Sequence, residues 1–325
     1  MDTEKIKKIQ KTLKPILIIP SIAYGAVVNT KHLLYDSKLL KSEQYENVKI
    51  ISVGNISVGG VGKTPIVIKI AQALTQYGKT CVITGNYPSK DKRVHVVSIE
   101  GNIFKKQKSV SDETLMIAQK TTASVIASKD RKAAIELAIG LNMKYVILDD
   151  ALHKRNIKKD FEICVVDKEN PFEDNLYLPA GFLRDAKSSI KRCNVVICID
   201  KTGYKEKKIN CLEGKIKTTG IFDNKHKQLN HKPSAFLFCG IGKPLSFLKS
   251  AKEYGIEIKG YKFFKDHYWY KNKDIEELRK LRNLNKADIL LTTHKDFVKI
   301  NAEDIYYLDI DLEIENFKQL VGELI

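Results

Sequence analysis

Residues 53–65 read VGNISVGGVGKTP. Three glycines, Gly59, Gly60 and Gly62, stand directly before Lys63 and Thr64. That composition suits a phosphate cradle. Successive backbone N–H groups converge on the anion, and glycine permits the positive φ angles and close approach this requires. The generic pattern places a glycine six residues before the lysine, and here that position is Ser57. The substitution is mild, because this residue closes the loop more than it touches phosphate. Ser57, Val58, Gly59, Gly60, Val61, Gly62, Lys63 and Thr64 are the candidate nucleotide-binding residues. Lys63 would reach the β- and γ-phosphates of ATP, and Thr64 would hold Mg²⁺. A chance glycine-rich turn is the bland alternative.

KYVILDD (144–150) is an apolar run ending in two carboxylates. Asp149 and Asp150 could deliver one direct metal ligand and one water-mediated contact or base. Alone, such a pair is an ordinary turn; beside the glycine loop it reads as the acidic half of a nucleotide site. SDET (111–114) puts Asp112 at a helix entrance, where a carboxylate is usually only a cap. FFKDHYWY (263–270) sets Asp266 and His267 after an apolar strand, where a structural histidine is the ordinary reading. NKAD (285–288) matches a guanine-recognition string but precedes its strand, so it would sit at the wrong end of the sheet.

The elements that must position these residues follow from periodicity. VKIISVGN is a β-rich run feeding the glycines, and 63–78 follows as a helix. Strands are expected at 80–84, 94–99, 144–150, 161–167 and 194–200, and a short one in ASVIAS. Helices at 111–120 and over KDRKAAIELAIGLN alternate with them. This is the pattern of a P-loop NTPase-type α/β fold: a parallel sheet flanked by helices. Residues 201–233 are Lys- and Asn-rich and weakly periodic, suggesting a linker or connecting strands. Alternation resumes in a second, smaller α/β domain. The expected division is an N-terminal membrane-associating segment (1–30), a P-loop core domain (31–228) and a smaller C-terminal α/β domain with a closing helix (229–325).

The bulk numbers are consistent with this. The 325 residues can bury a sizeable core, and the length suits two domains. A net charge of +17 favours anionic partners, although a lysine-rich solvated surface would give the same sum. No zinc finger or aromatic-basic RNA motif supports nucleic acid as a partner. Cys81, Cys164, Cys198 and Cys239 lie in apolar runs and no C-x-x-C pair occurs, so all six cysteines read as reduced. The N-terminus is basic, then uncharged over PILIIPSIAYGAVVNT (15–30). That run is shorter than a spanning helix needs, and Pro20 interrupts it. A segment lying in an anionic membrane interface fits better; a core-packed helix is the alternative.

In their order along the chain, these motifs resemble those of the tetraacyldisaccharide 4′-kinases of lipid A biosynthesis, from roughly residue 10 to 300. The loop itself, SDETLMIA, YVILDDALH, LPAGFLRD, FCGIGKPLSF, FFKDHYWY and LLTTHKDFVK each resemble a family segment. The chain departs after the second strand, where the family has S-R-G-Y and this chain has Thr84-Gly85-Asn86-Tyr87 without the arginine, and at His153, where the family has glutamine. The resemblance implies transfer of the ATP γ-phosphoryl group to the 4′-hydroxyl of a tetraacylated glucosamine disaccharide 1-phosphate, forming lipid IVA. It assigns Asp112 and His267 as a catalytic pair. Asp112 is the base, His267 tunes it and is itself oriented by Asp266, and Asp149 or Asp150 joins Thr64 on Mg²⁺. It also implies a smaller domain that closes over the loop. The acceptor is a lipid, so the expected location is the cytoplasmic face of the inner membrane, held peripherally, with no obligate protein partner. Competing readings are a regulatory P-loop GTPase or ATPase switch and a divergent copy with weak activity.

Overall fold

The computed structural model describes residues 3–85, 93–104, 110–200 and 209–325, with side chains described from residue 13 onward. Of the segment that lacks the family arginine, Thr84 and Gly85 are described, and Asn86 and Tyr87 lie outside the described residues. The chain forms two compact units. The larger comprises Lys7–Ile216 with Leu312–Ile325, and the smaller Met1–Ile6 with Lys217–Asp311.

The strands of the larger unit are β1 (Lys49–Gly54), β2 (Thr80–Thr84), β3 (His95–Ile99), β4 (Asn102–Ile103), β5 (Ser124–Ala127), β6 (Tyr145–Asp149), β7 (Phe161–Asp167), β8 (Val195–Asp200) and the start of β9 (Leu212–Phe222). Their order is β9-β8-β7-β1-β6-β2-β5-β3-β4. From β9 to β5 every pairing is parallel; β3 and β4 add an antiparallel edge. Fully buried runs such as TCVIT in β2 are what a parallel sheet covered on both faces demands. Helices α2 (Lys63–Leu74), α3 (Asp112–Lys120) and α4 (Arg131–Gly140) join these strands. Ser111 caps α3 by accepting the Thr114 N–H, and Asp130 caps α4 by accepting from Lys132 and Ala133.

Within the smaller unit four strands pair in parallel, in the order β11-β10-β12-β13. Its strands are β10 (Ala235–Cys239), β11 (Ile258–Phe263), β12 (Ile289–Thr293) and most of β13 (Ile305–Ile314), with helices α5 (Pro244–Glu253), α6 (Asn272–Leu284) and the single turn α7 (His294–Phe297). The closing helix α8 (Phe317–Leu324) groups with the larger unit rather than with the smaller one. There it packs near α2, with Lys69 Nζ 5.6 Å from the Phe317 ring centroid.

Two local expectations are corrected. Thr3–Asp36 is one helix, α1, running through both Pro15 and Pro20. Each proline removes a single intrahelical bond while neighbouring turns keep theirs. Leu13–Asp36 is therefore long and apolar enough to cross a membrane, by length and composition. And Cys198 and Cys211 are joined as a disulfide. Parallel pairing of β8 with β9 sets Cys198 opposite Glu213, which brings the two cysteine Cα atoms to 5.9 Å, inside the bonding range. Sequence spacing without a C-x-x-C pair did not reveal this.

Candidate active site

β1 and β6 are neighbours, with Val53 opposite Asp149. Their carboxyl ends therefore present the glycine loop and the two aspartates side by side. The Asp150 N–H donates to the Val53 carbonyl at 2.8 Å. Gly54 makes this approach feasible: a Cβ there would lie 2.6 Å from the Leu152 Cβ. Asp150 then turns with φ of 56°, which aims its carboxylate back toward the loop.

The loop closes as its residues suggest. Ser57 is buried and bridges to Leu183. Its carbonyl accepts from Asn55 Nδ2 at 2.5 Å, and Val58 N–H donates to the Phe182 carbonyl at 2.8 Å. The hydroxyl residue thus sits where the loop is tied to the 176–185 segment. Gly62 ends the loop at φ 98° as the N-cap of α2, a left-handed conformation that a Cβ would strain. Lys63 and Thr64 open α2, at the positive end of its dipole.

Asn55, Asp150 and Arg184 meet around Lys63. Its Nζ donates to Asn55 Oδ1 at 2.9 Å and lies 3.4 Å from Asp150 Oδ1. Arg184 donates to both Asp150 oxygens, to Oδ2 at 2.8 Å, and also to the Asn55 side chain. Burial would raise the Asp150 carboxyl, but Arg184 and Lys63 outweigh it and hold the group well below the ordinary carboxylate range. Asp149 behaves oppositely. Burial and the Asp150 charge push it up to about 6 against the pull of Lys63 and Arg131, and the nearby Glu113 charge adds to the rise. Arg131 spends its own guanidinium on the Ser128 and Asp149 carbonyls, both at 2.8 Å. Asp149 Oδ1 is buried and has no hydrogen-bond partner among the described residues.

That oxygen tests whether a metal fits. A buried carboxylate oxygen left open and a second carboxylate next to it in the chain are oxygen donors of the kind Mg²⁺ takes, and Thr64 is the hydroxyl residue the loop would add to them. The residues present suit the ion.

Asp112 begins α3 and is 3% exposed, with Oδ1 accepting the Glu113 N–H at 3.1 Å. The Glu113 charge felt at Asp149 puts this helix entrance in the same neighbourhood of the larger unit. In the smaller unit, Asp266 and His267 turn out of β11. His267 has φ of 58°; its N–H donates to the Gly240 carbonyl at 3.0 Å, and Asp266 Oδ1 lies 3.0 Å from the same nitrogen. Gly240 is in turn anchored by Asp296, whose Oδ2 accepts the Gly240 N–H at 2.9 Å. His153 is held near 4 by burial and by Arg184, so the imidazole standing in for glutamine is uncharged at neutral pH. NKAD precedes β12, and Asp288 there accepts from the Ser234 N–H at 2.8 Å and its hydroxyl at 2.7 Å. This is a structural role. Residue-by-residue reading missed Asn55, Arg131 and Arg184. Arg184 had a signal, since it lies within LPAGFLRD, but nothing local said where its guanidinium points.

A glycine loop between β1 and α2, with paired aspartates at the end of the adjacent strand, defines a P-loop nucleotide-binding protein of the phosphotransferase kind. The family model described as tetraacyldisaccharide-1-P 4′-kinase matches residues 13–325, and the chain belongs to that family. It is 35% identical over 277 residues to a tetraacyldisaccharide 4′-kinase of Rickettsia canadensis, covering 82% of this chain and 81% of the relative. To one from Halothermothrix orenii it is 29% identical, over 90% and 85%. Among solved structures it resembles LpxK from Aquifex aeolicus in complex with ATP, with a TM-score of 0.82 and 27% identity over 97% of this chain and 98% of that one.

Proposed function

We propose that this chain is an ATP-dependent lipid kinase. It transfers the γ-phosphoryl group to the 4′-hydroxyl of a tetraacylated glucosamine disaccharide 1-phosphate, giving the 1,4′-bisphosphorylated lipid. The observation that carries the reading is the cluster of Lys63, Asn55, Asp150 and Arg184 on a P-loop, in a chain that belongs to this kinase family.

Phosphoryl transfer asks mainly for alignment and charge neutralisation. The loop N–H groups from Ser57 to Gly62 and the Lys63 ammonium hold the β- and γ-phosphates. Thr64, Asp149 and Asp150 would hold Mg²⁺, which when bound neutralises phosphate charge. The acceptor hydroxyl attacks the γ-phosphorus, the bond to the β-bridging oxygen breaks, and the hydroxyl proton passes to a base. Asp112 is that base by resemblance to the family, and its burial at a helix entrance beside Glu113 supports the role. His267 is its proposed partner, and Asp266, 3.9 Å from His267 Nε2, orients it.

The acceptor is a lipid, so the enzyme works at a membrane. α1 supplies the anchor: Ile16, Ile19, Ile22 and Val27 are each more than 60% exposed. We place the enzyme on the cytoplasmic face of the inner membrane, attached to an anionic lipid surface without nucleic acid or an obligate protein partner.

Purified protein, Mg²⁺, γ-labelled ATP and the lipid disaccharide in detergent micelles test the reaction. Label should move to the lipid and depend on Mg²⁺. ATP binding without transfer at any pH would overturn the reading in favour of a nucleotide-binding module, and preference for GTP would favour a switch.

A further inference from the structure

His32 lies on α1 about one turn before that helix ends, and is buried at 9% exposure. Both ring nitrogens are engaged. Arg155 Nη1 lies 3.2 Å from Nδ1 and also donates to the His32 carbonyl at 3.1 Å. A guanidinium can only donate, so Nδ1 is the acceptor and the ring proton sits on Nε2. Nε2–H then donates to Asp185 Oδ1.

Asp185 is almost wholly buried and organises its surroundings. The same oxygen takes the Ala186 N–H at 2.8 Å and the Ser189 hydroxyl at 3.1 Å, while Oδ2 faces Arg192 at 3.5 Å. Asp36, on α1, holds Arg155 at 2.7 Å. His32 is therefore fixed from both sides and cannot turn away without breaking charged contacts.

The neighbour of Asp185 is Arg184. The N–H groups of residues 184 and 185 both donate to the Ile56 carbonyl, at 2.9 and 3.1 Å. Ile56 immediately precedes the phosphate loop. Holding the Asp185 side chain thus fixes the short stretch of backbone that aims Arg184 at Asp150 and Asn55. A second contact runs from the same helix to the same place, from the Tyr24 hydroxyl to the Arg184 carbonyl at 3.1 Å. α1 is consequently joined to Lys63 by a continuous path: His32, Asp185, Arg184, then Asp150 and Asn55. Every member belongs to the larger unit.

We propose that His32 is a positioning residue for phosphoryl transfer. It touches no reacting atom. It sets the angle at which Arg184 clasps Asp150, and so links the seating of the apolar helix to the geometry of the phosphate loop. This inference rests on the proposed roles of Asp150 and Arg184.

The alternative is a staple that only fastens α1, and steady-state kinetics separate the two. His32→Ala should lower kcat about tenfold or more, with KM for the lipid acceptor within about twofold, because an interaction that orients the transition state is lost rather than a binding contact. Association with phosphatidylglycerol vesicles should not change. His32→Gln can place its amide Nε2 where the imidazole Nε2 was, and should recover kcat to within about threefold of the parent, whereas the shorter His32→Asn should not. Normal kcat in His32→Ala would overturn the proposal. So would equal kcat in the Gln and Asn variants, a comparison that stands even if the alanine variant does not fold. Asp150→Ala and Arg184→Ala serve as controls. If both retain turnover, the reading of the site has failed; if both lose it and His32→Ala does not, only this inference has failed.

Discussion

Arg184 Nη1 donates to Asp150 Oδ2 at 2.8 Å, between residues 34 positions apart in the chain. The same guanidinium reaches the Asn55 side chain, which Lys63 also holds. One planar fork therefore ties the end of β6 to the end of β1. Lysine cannot reproduce two parallel donors in that plane. Arg184→Ala should lower kcat/KM by about a hundredfold, with Arg184→Lys recovering only a small part, because the carboxylate loses its bidentate partner. Initial rates at varied ATP check this; a lysine variant at parent level would show that charge alone suffices.

Asp149 gives a pH signature in the protein without nucleotide. Its carboxyl is raised to about 6 from an ordinary value of 3.8. A raised carboxylate means the folded chain holds a proton that the unfolded chain has released, so this group's contribution to stability falls as pH rises from about 4 to 6. Asp149→Asn removes that loss. The variant should gain on the parent across this window by up to about 3 kcal/mol, taking about 1.4 kcal/mol per unit, and then hold a constant difference. Denaturant titrations at pH 4, 5, 6 and 7 measure it; a pH-independent difference would contradict it.

Two substitutions in the loop should separate its closing residue from its phosphate-facing turn. Ser57→Gly restores the generic pattern, and should leave ATP affinity within about threefold, since Ser57 acts through its backbone carbonyl and the Leu183 bridge. Gly62→Ala meets a φ of 98° and should weaken ATP binding by about tenfold through a strain of about 1–2 kcal/mol. Calorimetric titration with ATP reads both. Equal losses would mean that the Ser57 side chain matters as much as the left-handed conformation of Gly62.

In the smaller unit, Asp296 and Lys299 are paired at 2.7 Å with both side chains fully buried. Asp296→Ala removes the carboxylate from beside the buried Lys299 ammonium and the acceptor of the Gly240 N–H. It should cost about 3–5 kcal/mol and speed amide exchange at Gly240 and at His267, whose N–H depends on the Gly240 carbonyl. Exchange measured by mass spectrometry checks the coupling; acceleration at Gly240 without His267 would break it.

Membrane association should depend on the exposed face of α1. Replacing Ile16, Ile19 and Ile22 together by glutamate should reduce vesicle binding by at least about tenfold, since each apolar side chain contributes about 1.5–3 kcal/mol when buried. Co-sedimentation with phosphatidylglycerol vesicles reads it. Unchanged binding would assign the attachment to lysine charge instead.

The sequence by itself determined the strands and the loop. Apolar runs such as TCVIT and FEICVVD match β2 and β7 residue for residue, because a strand buried on both faces has no freedom in composition. VGGVGKTP announced its chemistry because phosphate binding there is a backbone property, local to consecutive residues. Ordered motifs carried the family. Side-chain partnerships were not legible. Nothing in LPAGFLRD states that Arg184 meets Asp150, that Asp185 meets His32, or that Cys198 meets Cys211, since each pair is distant in sequence and brought together by strand order or by packing of α1. Pro20 misled for a related reason: a local breaking propensity of one missing hydrogen bond is overruled by the turns around it. Tertiary structure also divided two adjacent aspartates that sequence left equivalent. Asp150 faces Arg184 and Lys63 and stays charged, while Asp149 is enclosed beside it without a hydrogen-bond partner for Oδ1 among the described residues, because burial and charge are properties of surroundings rather than of residue type.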